Sequence, residues 1–99
     1  MEKLKPTHDL EAFKRAFALQ KNMSVIAFRN AEAIGYSRAE VLDVVASIGR
    51  RDFVKSVTSF GDHRHWHDVY NVPHRGQLLY LKFTDHTLTE FILLSFKRK

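Results

Sequence analysis

The hydrophobic period of this 99-residue chain changes at Arg50-Arg51. Before this dipeptide, apolar residues recur every three or four positions, as on one face of an α-helix; after it, they alternate with polar residues, as in a β-strand. Because a pattern with one of these periods does not fit the other kind of element, the change divides the chain into a helical half and a β half. We therefore expect an α+β fold.

The helical half contains three segments, residues 7–20, 24–35 and 37–49, each with its own boundary signals. Thr7 is the expected N-cap of the first helix, and Gly35 is the expected left-handed C-cap of the second. In the third helix the caps and the apolar spacing agree, although valine is a mediocre helix former. Its capping box and apolar stripe consist of Ser37, Glu40, Val41, Val44, Val45 and Ile48.

The β half is expected to form four strands, over residues 53–60, 66–72, 77–84 and 88–97. Turn signals separate these segments, and such tight connections join antiparallel neighbours. The last segment is almost continuously apolar, which favours a central place in the sheet, and its alternation puts Ile92, Leu94 and Phe96 on one side. We expect one domain over residues 1–99, in which the helices, within about residues 7–49, cover one face of an antiparallel sheet, within about residues 53–97.

The composition points to a polyanionic partner. Sixteen Lys and Arg against eleven Asp and Glu give a formal charge of +5. A basic surface attracts nucleic acid by releasing condensed counterions. The alternative is a basic domain whose charge only keeps it dispersed.

The chain has no cysteine, which excludes a disulfide framework and a thiolate metal site and is compatible with a reducing cytoplasm. Its first residues carry charge, but no apolar segment of a signal peptide follows them. No run approaches the roughly 18 apolar residues that a bilayer span needs. We therefore expect a cytoplasmic protein with no membrane partner.

Strand alternation predicts that Lys55, His67, Tyr80 and Lys97 lie on the sheet face that the helices leave free. RNA carries its own nucleophile, the 2′-hydroxyl, so its cleavage needs proton acceptors and donors beside fixed positive charge. Imidazole, phenol and ammonium groups supply these functions. Taken singly, each of the four has an ordinary structural alternative, such as a solvated strand lysine or an aromatic at the core edge. Further phosphate contacts are expected from Arg75, Lys82 and Arg98.

Two other functions remain open from the residues alone. His63, His65 and His67 recur at every second position, and on a strand such imidazoles can bind a metal ion of a hydrolase. Full activity in excess chelator excludes that function. A non-catalytic nucleic-acid-binding regulator is the other alternative, and it is expected to bind RNA with steep salt dependence while leaving the RNA intact.

Six blocks, taken together, resemble the motility quorum-sensing regulator (MqsR) toxins in order and spacing. They are Asp52–Thr58, Asp62-His63, Trp66–Tyr70, Gly76-Gln77, Tyr80–Lys82 and Leu94–Lys97. The resemblance implies a RelE-like fold and a bacterial type II toxin: a sequence-specific, metal-independent mRNA endonuclease without cofactors that inhibits translation and growth. It also implies an MqsA-like antitoxin that binds zinc, silences the toxin, and binds operator DNA through a helix-turn-helix domain.

The same resemblance implies roles for individual residues. The family's functional lysines and tyrosine fall on Lys55, Lys97 and Tyr80, and its functional glutamine falls on His67. We expect the lysines to hold the scissile phosphate while His67 or Tyr80 assists proton transfer. Attack by the 2′-hydroxyl then leaves a 2′,3′-cyclic phosphate and a 5′-hydroxyl.

Overall fold

The computed structural model describes residues 1–59, 61–86 and 90–99, except for the side chain of His63. Within these residues the helices are α1 (Leu10–Gln20), α2 (Val25–Ala33) and α3 (Arg38–Ser47). The strands are β1 (Glu2–Lys3), β2 (Phe53–Ser59), β3 (Asp62–His74), β4 (Gln77–Asp85) and β5 (Phe91–Arg98), and a 3-10 turn, Arg50–Asp52, joins α3 to β2. None of the described helices is long and apolar enough to cross a membrane.

The strands lie in the sheet in chain order, from β1 to β5, and every neighbouring pair is antiparallel. The predicted α+β class, with three helices and an antiparallel sheet, is confirmed. The sequence prediction had four strands because β1 is only two residues long and has no period to detect. β3 is also longer than predicted, and the turn after it is reduced to Arg75 and Gly76, both with positive φ (50° and 76°).

The core lies between the helices and one face of the sheet. Phe13 of α1 stacks on Phe83 of β4 with ring centroids 3.8 Å apart, and Tyr36 meets Phe96 of β5 edge to face. The valines of α3 predicted to face the core are buried, as are the inward residues of β3 and β4. Full burial of a large apolar side chain contributes about 1.5–3 kcal/mol, so this layer stabilises the sheet from one side.

The first helix begins later than predicted. Asp9 is its N-cap, and the Asp9 carboxylate accepts hydrogen bonds from the backbone N–H of Glu11 and Ala12. Thr7 instead donates its backbone N–H to Asp68 of β3, and its hydroxyl is hydrogen-bonded to Ser56 at 2.6 Å. The prediction of Thr7 as N-cap was wrong because the segment before α1 is bound to the sheet.

The other helix boundaries agree with the sequence signals. Gly35 follows α2 with φ +86°, in the left-handed region that favours glycine. The capping box of α3 is present in both directions, since Ser37 Oγ accepts from Glu40 N and Glu40 Oε1 accepts from Ser37 N. α3 ends at Ser47, before Gly49.

The prediction of a central position for the last strand was wrong, because β5 forms an edge of the sheet. Its apolar residues are covered by α2 and by the segment before it, where Met23 forms a parallel bridge to Leu93. A register shift opposite Lys82 and Phe83 interrupts the predicted alternation, so Leu93 is buried and Leu94 is only partly buried. The predicted end of the first strand at Phe60 and the predicted start of the last at Leu88 lie outside the described residues, as does Thr87 in the turn signal before Leu88.

Candidate active site

The sheet face turned away from the helices is called the open face. Strand register brings Lys55, Val69 and Lys82 side by side on β2, β3 and β4, and Asn71, Tyr80 and Lys97 side by side in the next row. His67 lies beside Val57, on the same side of β3 as Val69. The open face therefore includes Lys55, Val57, His67, Val69, Asn71, Tyr80, Lys82, Ser95 and Lys97.

Val69 is 1% exposed although none of the described helices covers its side of the sheet. Its neighbours across the strands are Lys55 and Lys82, and its neighbours along β3 are His67 and Asn71. Lysine side chains often bury their methylene stems on apolar surface while the ammonium group stays in water. We infer that these side chains cover Val69, so that the lysine ammonium groups lie directly above an apolar surface.

The pKa values of His67 and Lys82 are both lowered, and burial is the largest cause for each. Burial lowers the pKa of His67 below its usual value, and the charges of Lys82 and His65 lower it further. Burial also lowers the pKa of Lys82, with a smaller effect from the charge of Lys97. Burial and these neighbouring charges therefore favour the neutral imidazole of His67, which is the form able to accept a proton.

Lys55 and Lys97 stand on opposite outer strands of the site, β2 and β5. The Lys97 ammonium lies 5.1 Å from the centroid of the Tyr80 ring, which is a cation–π contact. The Lys55 ammonium lies 3.5 Å from a carboxylate oxygen of Glu2 in β1. Sequence reasoning missed Glu2, since nothing in the chain order signals that the N-terminal residues join the sheet beside Lys55.

The structure places Lys55, His67, Tyr80, Lys82 and Lys97 on the open face, with Lys55 and Lys97 three strands apart, but it does not place Arg75 and Arg98 there. Arg75 forms a 2.7 Å ion pair with Glu40 of α3. Arg98 donates to the side chain of Gln77, which in turn donates to the hydroxyl of Tyr36 in the core layer.

Two further polar groups lie near the site, Asn71, which the sequence analysis did not name, and His65. Among the residues that the structure describes, the side-chain oxygen of Asn71 has no hydrogen-bond partner; it is buried, next to Tyr80 in the register. His65 contacts His67 edge to face, with ring centroids 5.3 Å apart. The spacing of the histidines indicated proximity of His65 to His67 but suggested a metal site.

The described side chains contain no group of three His, Asp or Glu placed to bind a metal ion. Of the three histidines in the predicted comb, His63 lies outside the described side chains. His65 directs Nε2 to the hydroxyl of Thr84 at 3.0 Å, which engages that nitrogen with the protein.

The fold and its cationic open face agree with one class of protein. The sequence matches the family described as motility quorum-sensing regulator, toxin of MqsA, over residues 5–98, and the chain belongs to this family of toxins. The family resemblance of the six sequence blocks is thereby confirmed. One curated relative is the mRNA interferase toxin MqsR of Escherichia coli strain K12, which is 32% identical over 100 aligned residues and matches over the whole length of both chains.

Proposed function

We propose that this toxin is an endoribonuclease that cleaves mRNA without a metal ion or other cofactor and so inhibits translation and growth. The observation that carries the proposal is the gathering of lysine, imidazole and phenol groups on one uncovered face of the sheet. The naming of the Escherichia coli relative as an mRNA interferase toxin supports it.

In the proposed reaction, His67 takes the proton of the 2′-hydroxyl, whose oxygen attacks the adjacent phosphorus. The neutral state of His67, favoured by its burial, suits a proton acceptor. Lys55 and Lys97 hold the non-bridging phosphate oxygens, and Tyr80 donates a hydrogen bond to the developing charge. The bond from phosphorus to the 5′ oxygen then breaks, which leaves a 2′,3′-cyclic phosphate and a 5′-hydroxyl.

Lys82 is proposed as an RNA-binding residue of the same face, because it lies in the row of Lys55 and next to the row that contains Lys97. Arg75 and Arg98 have contacts within the fold, and their role in RNA binding stays a prediction. Their guanidinium groups are occupied by Glu40 and Gln77. Replacing either arginine is expected to affect stability more than cleavage.

The family description as the toxin of MqsA supports a specific partner. We propose an antitoxin related to MqsA, with a zinc-binding domain that binds this chain and a helix-turn-helix domain that binds operator DNA. The toxin reaches that DNA only through the antitoxin. The proposed setting is the cytoplasm, where mRNA is accessible.

The test is a double replacement, Lys55→Met with Lys97→Met, which removes two charges but keeps apolar stems over the sheet. The matched control is Arg15→Met with Arg29→Met, which removes two charges from exposed positions of α1 and α2. End-labelled RNA is incubated with each protein in excess chelator, and the RNA ends are mapped. Loss of one oxyanion donor commonly costs about 10²–10³-fold in rate, so the first variant is expected to lose at least this much and the control to cleave normally.

In a bacterial host, the double lysine variant is expected not to arrest growth, whereas the arginine control is expected to arrest growth as the wild-type protein does. Wild-type cleavage by the double variant would refute the assignment of the lysines. RNA that is bound in a salt-dependent way but stays intact with the wild-type protein would instead support the non-catalytic binding domain.

A further inference from the structure

The proposed reaction leaves one proton transfer without a residue, and His65 is placed to perform it. The leaving 5′ oxygen needs a proton, and the proposed base, His67, becomes protonated only by taking the one from the 2′-hydroxyl. The His65 ring contacts the His67 ring at a centroid distance of 5.3 Å and an interplanar angle of 82°. A phosphodiester that reaches one imidazole therefore lies beside the other.

The hydrogen bonds around Thr84 define which nitrogen of His65 is free. The Thr84 hydroxyl has one hydrogen and two acceptor oxygens within reach, the carbonyl oxygen of Trp66 at 2.8 Å and a carboxylate oxygen of Asp85 at 3.3 Å, and we assign the hydrogen to the nearer one. At 3.0 Å from His65 Nε2, the hydroxyl oxygen then acts as acceptor, and Nε2 carries a hydrogen. A carboxylate oxygen of Asp85 lies on the same side, 3.8 Å from Nε2.

The second nitrogen of His65, Nδ1, has no hydrogen-bond partner within the part of the chain that the structure describes. The His65 side chain is 44% exposed, so substrate can reach it. Protonated His65 carries hydrogens on both nitrogens and can donate only the one on Nδ1 without breaking its bond to Thr84. After that transfer the remaining tautomer, with hydrogen on Nε2, is the one from which Thr84 accepts.

We propose that His65 is the catalytic acid of the cleavage site and protonates the 5′ oxygen through Nδ1. This inference rests on the proposed function. The 2′-oxygen-to-phosphorus bond forms as His67 accepts the 2′ proton, and the phosphorus-to-5′-oxygen bond breaks as His65 gives up the Nδ1 proton. Exchange with water then returns His67 to its neutral form and His65 to its protonated form.

The test compares two versions of one oligoribonucleotide that the wild-type protein cleaves at a mapped position. One version has oxygen at the scissile 5′ position, and the other has sulfur there. A thiol has a pKa of about 8.5, far below that of an alcohol, so a thiolate leaves without being protonated. An acid that donates to the leaving group is needed for the first substrate only.

His65→Phe keeps an aromatic ring against His67 but cannot transfer a proton. It is expected to cleave the oxygen substrate about 10²–10⁴-fold more slowly than wild type, and the sulfur substrate at nearly the wild-type rate. His65→Gln, which retains an N–H group for Thr84, is expected to behave in the same way and covers the case in which the phenylalanine variant fails to fold. His67→Phe is the matched control, expected to be slow on both substrates because the proton acceptor is missing.

Wild-type rates on the oxygen substrate for both His65 variants would overturn the proposal. Equal slowing on both substrates would also overturn it, since a residue that only positions His67 does not respond to the leaving group. If the wild-type protein leaves every oxygen RNA intact, the proposed function itself fails. Rescue by sulfur that is confined to the His65 variants supports the acid role.

Discussion

Replacement of Asp68 by asparagine tests how the N-terminal segment is held to the sheet. Asp68 is 0% exposed and accepts from the backbone N–H of Thr7, at 3.1 Å to each of its two oxygens, and from the N–H of His8 at 2.8 Å. Asparagine has nearly the same shape but replaces one oxygen with an NH₂ group. That group faces the Thr7 N–H, and the negative charge that strengthened the remaining hydrogen bonds is lost.

Hydrogen bonds to a charged group contribute about 1.5–3 kcal/mol each, and one is lost while the others lose their charge assistance. We therefore expect Asp68→Asn to lower the free energy of unfolding by about 2–3 kcal/mol. A domain of this size has about 5–15 kcal/mol in total, so the loss is large. At about 4–8 °C per kcal/mol, Tm is expected to fall by about 10–20 °C.

Urea titration and thermal melts monitored by circular dichroism measure the change. Asp62→Asn is the matched control in the same strand, because the Asp62 carboxylate is exposed and bonds locally to Arg64. The Asp62 variant is expected to unfold within about 0.5 kcal/mol of wild type. If Asp68→Asn unfolds at the same urea concentration and temperature as this control, the buried carboxylate does not anchor the segment and the reasoning is refuted. Because Asp68 faces the helices, the folded variant is expected to cleave RNA normally at low temperature.

Two further predictions concern the open face. Burial lowers the pKa of His67 in the folded state, so the unfolded chain binds a proton first as pH falls through about 6.5. The stability that depends on neutral His67 is therefore present above that pH and is lost below it. Urea titrations at pH 7.5 and 5.5 are expected to show a smaller difference for His67→Phe than for wild type, and an equal difference would contradict the effect. Glu2→Gln frees Lys55 from its exposed ion pair, which contributes about 0.2–1 kcal/mol. This variant is therefore expected to bind RNA up to about five-fold more tightly at low salt. Glu32→Gln on α2 is the charge-matched control. Binding titrations with a fluorescent oligoribonucleotide compare the two, and equal affinities would refute competition by Glu2.

Local signals were sufficient for much of this fold. The capping box of Ser37 and Glu40 and the stripe of α3 depend on residues within one or two turns, and both are present as predicted. Alternation also placed Lys55, His67, Tyr80 and Lys97 on a common face, because parity on a strand is a local property.

The features that sequence reasoning missed depend on distant partners. The apolar run of β5 indicated burial, but the pattern could not distinguish cover by neighbouring strands from cover by α2. Thr7 has the chemistry of an N-cap, yet Asp68, sixty-one positions away, is its hydrogen-bond partner. The ion pair of Arg75 with Glu40 was likewise not foreseen, because it exists only when α3 packs beside the β3–β4 turn; RNA binding by Arg75 stays a prediction.

Adjacent residues of β3 have different roles, one on each face of the sheet. His67 projects towards the proposed substrate, while Asp68 projects towards the helices and ties down the N-terminal segment. Gain or loss of a single codon within this strand would exchange the two sides, burying an imidazole under α1 and exposing the anchoring carboxylate. Evolution of β3 is therefore expected to proceed by substitution and not by length change, with indels confined to the turns at its ends.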